Sequence, residues 1–388
     1  MKKIGIVTLY TGFNYGSALQ AFASKKYYEK LGYESNILGY SDSLVKGRDI
    51  RIEKILIIFL RTFWRPSLFK KTFLTYQKSL NKEISQNSKD LFLRFYEEKL
   101  KVVKLNKTSM KEYGNKEEVK ALICGSDQIW SATAVYVDPF YYLRFFPKNK
   151  RMAYAPSFGK SQVPYYNKKI IRKYIEDIPY LSTREIEGQS IIKELTGKDA
   201  AVLIDPTLLI NKTEWSELAG EERIEKDNYI LFYFLDIPSD KTLQNLKILS
   251  KELNLKIISI PNVSTLFKSE FEKICNIDTG PIEFLNLVKN ATLICTDSFH
   301  GMLFSINFNK NFYIFERNYG VAQNQSGRIK SILNILDLEE RFIKDEDLKN
   351  VKQDINWEKV NKNLEDQREK SKQYIMNSLN RIGESNNE

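Results

Sequence analysis

Apolar residues in this chain fall into short dense runs separated by polar turns. Ile4-Gly5-Ile6-Val7-Thr8-Leu9 is such a run bounded by turn residues, the pattern of a buried strand. After the loop Tyr10 to Gly16, Ser17-x-x-Gln20 has the form of a capping box. Leu19, Phe22, Ala23 and Tyr27 then recur at helical spacing, and the helix ends near Gly32. Tyr33 to Leu38 offers the next strand. Strand, loop, helix and strand within about 40 residues make a βαβ unit, which requires parallel pairing. The turn lacks the G-x-G-x-x-G fingerprint, so it does not point to a nicotinamide or flavin dinucleotide.

Two later runs look alike. Ala121-Leu122-Ile123-Cys124-Gly125-Ser126-Asp127 and Thr292-Leu293-Ile294-Cys295-Thr296-Asp297-Ser298 share an L-I-C core followed by small polar residues and an aspartate. So short a likeness is not a repeat, but each half of the chain thereby supplies one strand that ends in polar groups. In open α/β sheets ligands bind outside such ends. Arg151 to Phe158, Ala201 to Pro206 and Tyr229 to Phe234 also read as strands, the second broken by Asp205-Pro206-Thr207. Lys256 to Ile260 and Asn311 to Phe315 continue the pattern. The expected class is α/β, with a Rossmann-like domain over 1–210 and a second over 211–345. The first carries a basic, aromatic helical insertion at about 44–83, and a charged helical tail covers 346–388. The boundary falls near 206–227, and the tail carries no catalytic signal.

Composition narrows this reading. A chain of 388 residues, 42% apolar, is long enough for two or three domains and is neither disordered nor fibrous. No aliphatic and aromatic run, Ile55 to Leu60 among them, is long enough to span a bilayer. The start resembles a signal peptide superficially, but Gly12-Phe13-Asn14-Tyr15-Gly16 interrupts it and no cleavage pattern follows. Cys124, Cys275 and Cys295 are too few for a disulfide framework, so a soluble protein of a reducing, cytoplasmic compartment is expected. The single histidine, His300, excludes any zinc site with several imidazoles, and no clustered metal-ligand set is present.

The formal net charge is +11, and residues 46–82 hold ten basic side chains against Asp49 and Glu53, a net of +8. Aromatic and aliphatic residues lie between these charges, as in a helix resting on an anionic membrane surface. The alternative is an ordinary basic insertion packed on its own domain. Nucleic acid is not an expected partner, because no nucleic-acid module accompanies the patch.

Candidate chemistry concentrates at the two polar strand ends. Thr296-Asp297-Ser298-Phe299-His300-Gly301 sits where a strand hands over to a helix, whose N-terminus offers N–H groups and partial positive charge to an anion. His300 there can donate a proton to a leaving phosphate oxygen, or be a buried ring bonded to a carbonyl. In Gly125-Ser126-Asp127-Gln128-Ile129-Trp130, Asp127 is a general base or a cap, and Trp130 stacks on a sugar or is core. Arg184 and Arg328 are candidate anion clamps. Asn14, Tyr15 and Gly16 lie in the glycine-bearing loop before the first helix and are candidate acceptor or cleft residues.

Six motifs follow in order. Thr11 to Gln20, Gly125 to Trp130 and Tyr154-Ala155-Pro156-Ser157-Phe158-Gly159 come first. Ser182-Thr183-Arg184-Glu185, Asp205-Pro206-Thr207-Leu208-Leu209 and Asp297-Ser298-Phe299-His300-Gly301 complete the set. Together they resemble the bacterial polysaccharide pyruvyl transferase family over about residues 4 to 336. The resemblance implies two Rossmann-like domains of glycosyltransferase-B type facing across a cleft. It also implies transfer of pyruvate from phosphoenolpyruvate, the donor substrate, onto two sugar hydroxyls as a ketal, with no cofactor. The acceptor it implies is a glycan of the bacterial surface, such as an exopolysaccharide or capsule, or a lipid-linked oligosaccharide precursor. His300 and Asp127 take the catalytic places; Arg184, Ser298, Gly301 and Arg328 hold the donor. Some relatives carry arginine where this chain has Ser298, and Arg328 stands as its substitute. A nucleotide-sugar glycosyltransferase and an inactive membrane-associated scaffold are the alternatives. Against the first, Glu270, Glu272, Glu283 and Glu316 each lack a glutamate eight residues on.

Overall fold

The computed structural model describes residues 1–41, 84–134, 136–235, 238–260, 274–316, 327–343 and 354–384. The basic segment 46–82, and the membrane contact expected of it, lie outside these residues. Along the chain run β1 (Lys3–Val7), α1 (Tyr15–Lys30), β2 (Glu34–Tyr40), α2 (Gln86–Phe95), β3 (Val103–Leu105), α3 (Lys107–Asn115) and β4 (Val119–Cys124). Next come β5 (Arg151–Ala153), α4 (Tyr165–Ile175), β6 (Ser182–Thr183), α5 (Ile186–Thr196), β7 (Ala201–Val202) and α6 (Lys212–Ala219). Then follow β8 (Tyr229–Tyr233), α7 (Asp240–Leu253), β9 (Lys256–Ser259), β10 (Ile274–Asn276), α8 (Pro281–Asn290) and β11 (Leu293–Thr296). The last are α9 (Phe299–Asn307), β12 (Phe312–Phe315), α10 (Gly327–Ile335), β13 (Phe342–Ile343) and α11 (Trp357–Glu384).

The chain divides into two compact units. Residues 1–66, 96–209 and 364–388 form the first, and 67–95 and 210–363 the second. Unit 1 holds a five-stranded sheet in the order β3-β2-β1-β4-β5, with every pair parallel, and the short ladder β6-β7. Unit 2 holds six parallel strands in the order β10-β9-β8-β11-β12-β13. Both orders are Rossmann-like: the chain reverses direction of travel between the first and fourth strands, leaving a crevice at that switch point. The two L-I-C runs are the fourth strands, β4 and β11, of their respective sheets. Their apolar composition has a physical reason. Leu293 to Thr296 and Tyr229 to Tyr233 are buried along their whole length, as strands of a parallel sheet covered on both faces must be.

Several local expectations change. Asn14, not Ser17, caps α1, its side chain accepting from Ser17 N at 3.1 Å. The expected strand Arg151 to Phe158 stops at Ala153, because Ala155 turns the backbone into the left-handed region at φ 52°. The tail is not a separate charged appendage. Leu364, Ile375, Leu379 and Ile382 line one buried stripe of α11, so the helix from Leu364 onward belongs to unit 1. Arg368 Nε donates to Leu208 O at 2.7 Å, and Tyr374 OH to Ala153 O at 2.9 Å. Among the described residues no helix is long and apolar enough to cross a membrane.

Candidate active site

In unit 1 five of the six motifs form one hydrogen-bonded network at the carboxyl ends of β1, β4 and β5. Thr8 Oγ1, just past β1, donates to Ser126 O at 2.7 Å, and Gln20 Nε2 donates to Thr8 Oγ1 at 2.9 Å and Leu9 O at 2.6 Å. Ser17 Oγ, in the first turn of α1, donates to Asp127 Oδ2 at 2.6 Å. Asp127 Oδ1 accepts from Gln128 N at 2.8 Å. Asp127 adopts φ 73° and ψ 180°, a region that costs a non-glycine residue about 1–3 kcal/mol. Such strain persists only where the surroundings impose it. Here Ser157 N donates to Asp127 O at 2.8 Å, pairing this loop with the Pro156 turn.

That turn is braced in its own right. Glu185 Oε1 accepts from Ser157 Oγ at 2.9 Å and from Phe158 N at 2.8 Å, while Thr183 Oγ1 donates to Pro156 O at 3.0 Å. Arg184, between them, turns inward. Its Nη1 lies 2.5 Å from Asp205 Oδ2, with the two side chains 2% and 0% exposed. Ser126 Oγ donates to the same Asp205 oxygen at 2.9 Å, and Asp205 Oδ1 accepts from Thr207 N and Oγ1. Arg184, expected to clamp the donor, has its guanidinium out of solvent and its Nη1 paired with a carboxylate of its own unit. The same Nη1 lies 3.4 Å from Ser126 Oγ, next to Asp127.

Trp130 lies in the core of unit 1. It is fully buried, stacks on Tyr142 at 5.3 Å with the rings nearly parallel, and donates its indole N–H to Tyr141 O. That is a core residue with no face left for a sugar. Tyr15 and Gly16 are also buried in the first turn of α1, and the Asn14 side chain is occupied as its cap. Asn14 itself is half-buried. Glu185 and Asp205 stand within two of the motifs but are not singled out by spacing; the local signal for Asp205 is a lone carboxylate closing the apolar run Ala201 to Ile204.

Unit 2 repeats the plan with different residues. Asp297, after β11, accepts from Leu235 N, after β8, at 2.6 Å, and so ties the two loops that flank the switch point. Ser298 caps α9, accepting from Gly301 N at 3.3 Å, and Ser298 N donates to Thr296 Oγ1 at 3.0 Å. Ser298 thus shapes the helix start. Gly301 serves packing, since a Cβ there would lie 2.6 Å from Thr296 Oγ1 and 2.9 Å from Tyr233 Cδ1. His300 occupies the first turn, 8% exposed, with its ring edge-on to Phe299 at 5.3 Å between centroids. Arg328, near the start of α10 and half-buried, lies 5.3 Å from the centre of the same Phe299 ring. An imidazole, a guanidinium and the positive end of α9 therefore cluster around one phenylalanine.

The order of motifs, the two Rossmann-like sheets and the polar strand ends agree with a comparison against known families. The family model for polysaccharide pyruvyl transferase matches residues 14–319. The chain belongs to the polysaccharide pyruvyl transferase family. Among solved structures, this family member resembles a UDP-N-acetylglucosamine 2-epimerase with TM-score 0.50 and 10% identity, over 99% of this chain and 96% of that one. The UDP-GlcNAc 2-epimerase of Methanocaldococcus jannaschii is 13% identical with TM-score 0.49, over 94% and 92% of the two chains. MurG of Acinetobacter baumannii is 10% identical with TM-score 0.42, over 99% and 100%. At 10% identity the first of these speaks for the fold alone, which is glycosyltransferase-B-like. Among curated proteins no sequence matches this chain.

Proposed function

We propose that this member of the family transfers pyruvate from phosphoenolpyruvate to a hydroxyl pair on a sugar of a bacterial surface glycan or its lipid-linked precursor. The carrying observation is the cluster of His300, Arg328 and the α9 start around Phe299. Phosphoenolpyruvate presents a carboxylate and a phosphate close together, and a guanidinium with a helix N-terminus are suited to those two anions. In the proposed reaction the methylene carbon gains a proton, and a sugar hydroxyl oxygen bonds to the central carbon. The carbon–oxygen bond to phosphate then breaks, and the neighbouring hydroxyl closes the ketal. The two hydroxyl hydrogens end on the new methyl group and on the released phosphate, so no oxidant or reductant is consumed. His300 protonates the departing phosphate oxygen.

The test is incubation of the purified chain with phosphoenolpyruvate and extracted lipid-linked oligosaccharides. Phosphate release and a pyruvate adduct in the mass spectrum are the readouts. His300→Ala should lower phosphate release by at least about 100-fold, with an unchanged circular dichroism spectrum. Retained turnover in that variant would refute the assignment. Binding of uridine diphosphate sugars without binding of phosphoenolpyruvate would favour the glycosyltransferase alternative.

A further inference from the structure

A polar cavity lies in unit 2 at the amino ends of β8, β11 and β12, whereas His300 follows the carboxyl end of β11. Its volume is about 440 Å³, within the range of small-ligand sites. It is bounded by the residues that lead into β8, β11 and β12, by Arg223 and by Trp357 at the start of α11. α9 runs from His300 to the turn carrying Lys310. At 1.5 Å per residue its nine residues put about 13 Å between the two places.

The cavity's chemistry is one-sided. Arg223 and Lys310 contribute two cations, and Lys212 stands close enough to add a third charge. Burial pushes the Lys310 ammonium below its ordinary pKa, and the Lys212 and Arg223 charges push it the same way. The nearby carboxylates of Glu225 and Asp227 are held by Lys256 at 2.7 and 2.8 Å; Arg223 donates to the Asp227 carbonyl at 3.3 Å, and its charge also favours the Asp227 carboxylate. Around the cations stand the amides of Asn228, Asn309 and Asn311, and the half-buried Trp357 ring supplies an aromatic edge. Asn309 adopts φ 53°, the left-handed turn that carries the chain from α9 to Lys310. Amides that both donate and accept match sugar hydroxyls, and the apolar body of an indole matches the C–H side of a pyranose.

We propose that this cavity binds an anionic sugar unit, one bearing a carboxylate or a phosphate, as a glycan-holding site separate from His300. The inference is independent of the pyruvyl-transfer reading, because it concerns binding and requires no turnover.

Calorimetric titration of the full chain with trigalacturonate, glucose 6-phosphate, neutral maltotriose and inorganic phosphate tests it. At least one anionic sugar should bind ten times more tightly than maltotriose and than inorganic phosphate, and the tighter of the two identifies the anion. Lys310→Gln and Arg223→Gln should each weaken that binding at least tenfold, while His300→Ala leaves it unchanged. The preference measured on the unaltered chain stands even if a variant fails to fold. Equal binding of neutral and anionic sugars overturns the proposal. So do inorganic phosphate binding as tightly as the sugars, loss of binding in His300→Ala, or unchanged affinity in folded Lys310 and Arg223 variants.

Discussion

Arg184 and Asp205 form an ion pair from which water is excluded, and their energetics differ from those of a surface pair. Removing one partner of such a pair strands a charge in a low-dielectric interior, at a cost of about 3–5 kcal/mol. Arg184→Ala should therefore destabilise the fold by that amount in a urea titration. Adding Asp205→Asn to it should restore part of the loss, because the orphaned charge is then gone while the acceptor toward Thr207 remains. A donor-binding arginine would behave otherwise: its loss would raise KM and leave stability nearly intact. The same reasoning separates Trp130 from His300. Trp130 is fully buried against Tyr142 and Phe158, whereas His300 keeps 8% of its surface accessible at a helix start.

Whether an element sits where chemistry needs it depends on how closely its backbone can approach its neighbours. α9 rests against β8 and β11 because residue 301 has no side chain, the space being taken by Thr296 and Tyr233. Gly301→Ala should push the start of α9 outward and cost about 1–3 kcal/mol, the usual penalty for overpacking. His300 rides on that turn, so phosphate release should fall together with the melting temperature, by more than Ser298→Ala lowers it. In unit 1 a helix glycine plays the same part, since a Cβ at Gly188 of α5 would run into Thr183 Oγ1 and lie 3.2 Å from Phe158. Side-chain hydrogen bonds add to it: Ser17 to Asp127, Ser157 to Glu185, and Ser126 to Asp205.

At the scale of the molecule, each unit carries a parallel sheet with its own switch point, and a C-terminal helix closes part of unit 1. The buried stripe of α11 makes that helix part of the unit 1 core rather than a tail. Deleting residues 357–388 should lower the stability of unit 1 by several kcal/mol, since each fully buried leucine or isoleucine is worth about 1.5–3 kcal/mol. Limited proteolysis followed by mass spectrometry should then show new cleavage sites within 96–209, and an unchanged digestion pattern would contradict the packing described.

The sequence by itself determined the α/β class, the parallel βαβ start, the two L-I-C strands and the family, since these rest on local periodicity and on motif order. It also singled out His300, because one imidazole at a strand-to-helix junction is a local pattern. Tertiary structure decided which motif residues face inward. Spacing is the same for an arginine that binds a substrate and for one that binds Asp205, and for a tryptophan that stacks on a sugar and one that stacks on Tyr142. Only the fold brings residues 126, 184 and 205 within hydrogen-bond reach of one another, and only the fold sets Arg328 beside Phe299. The physical reason is that burial and pairing are properties of distant neighbours, which periodicity along a chain does not encode.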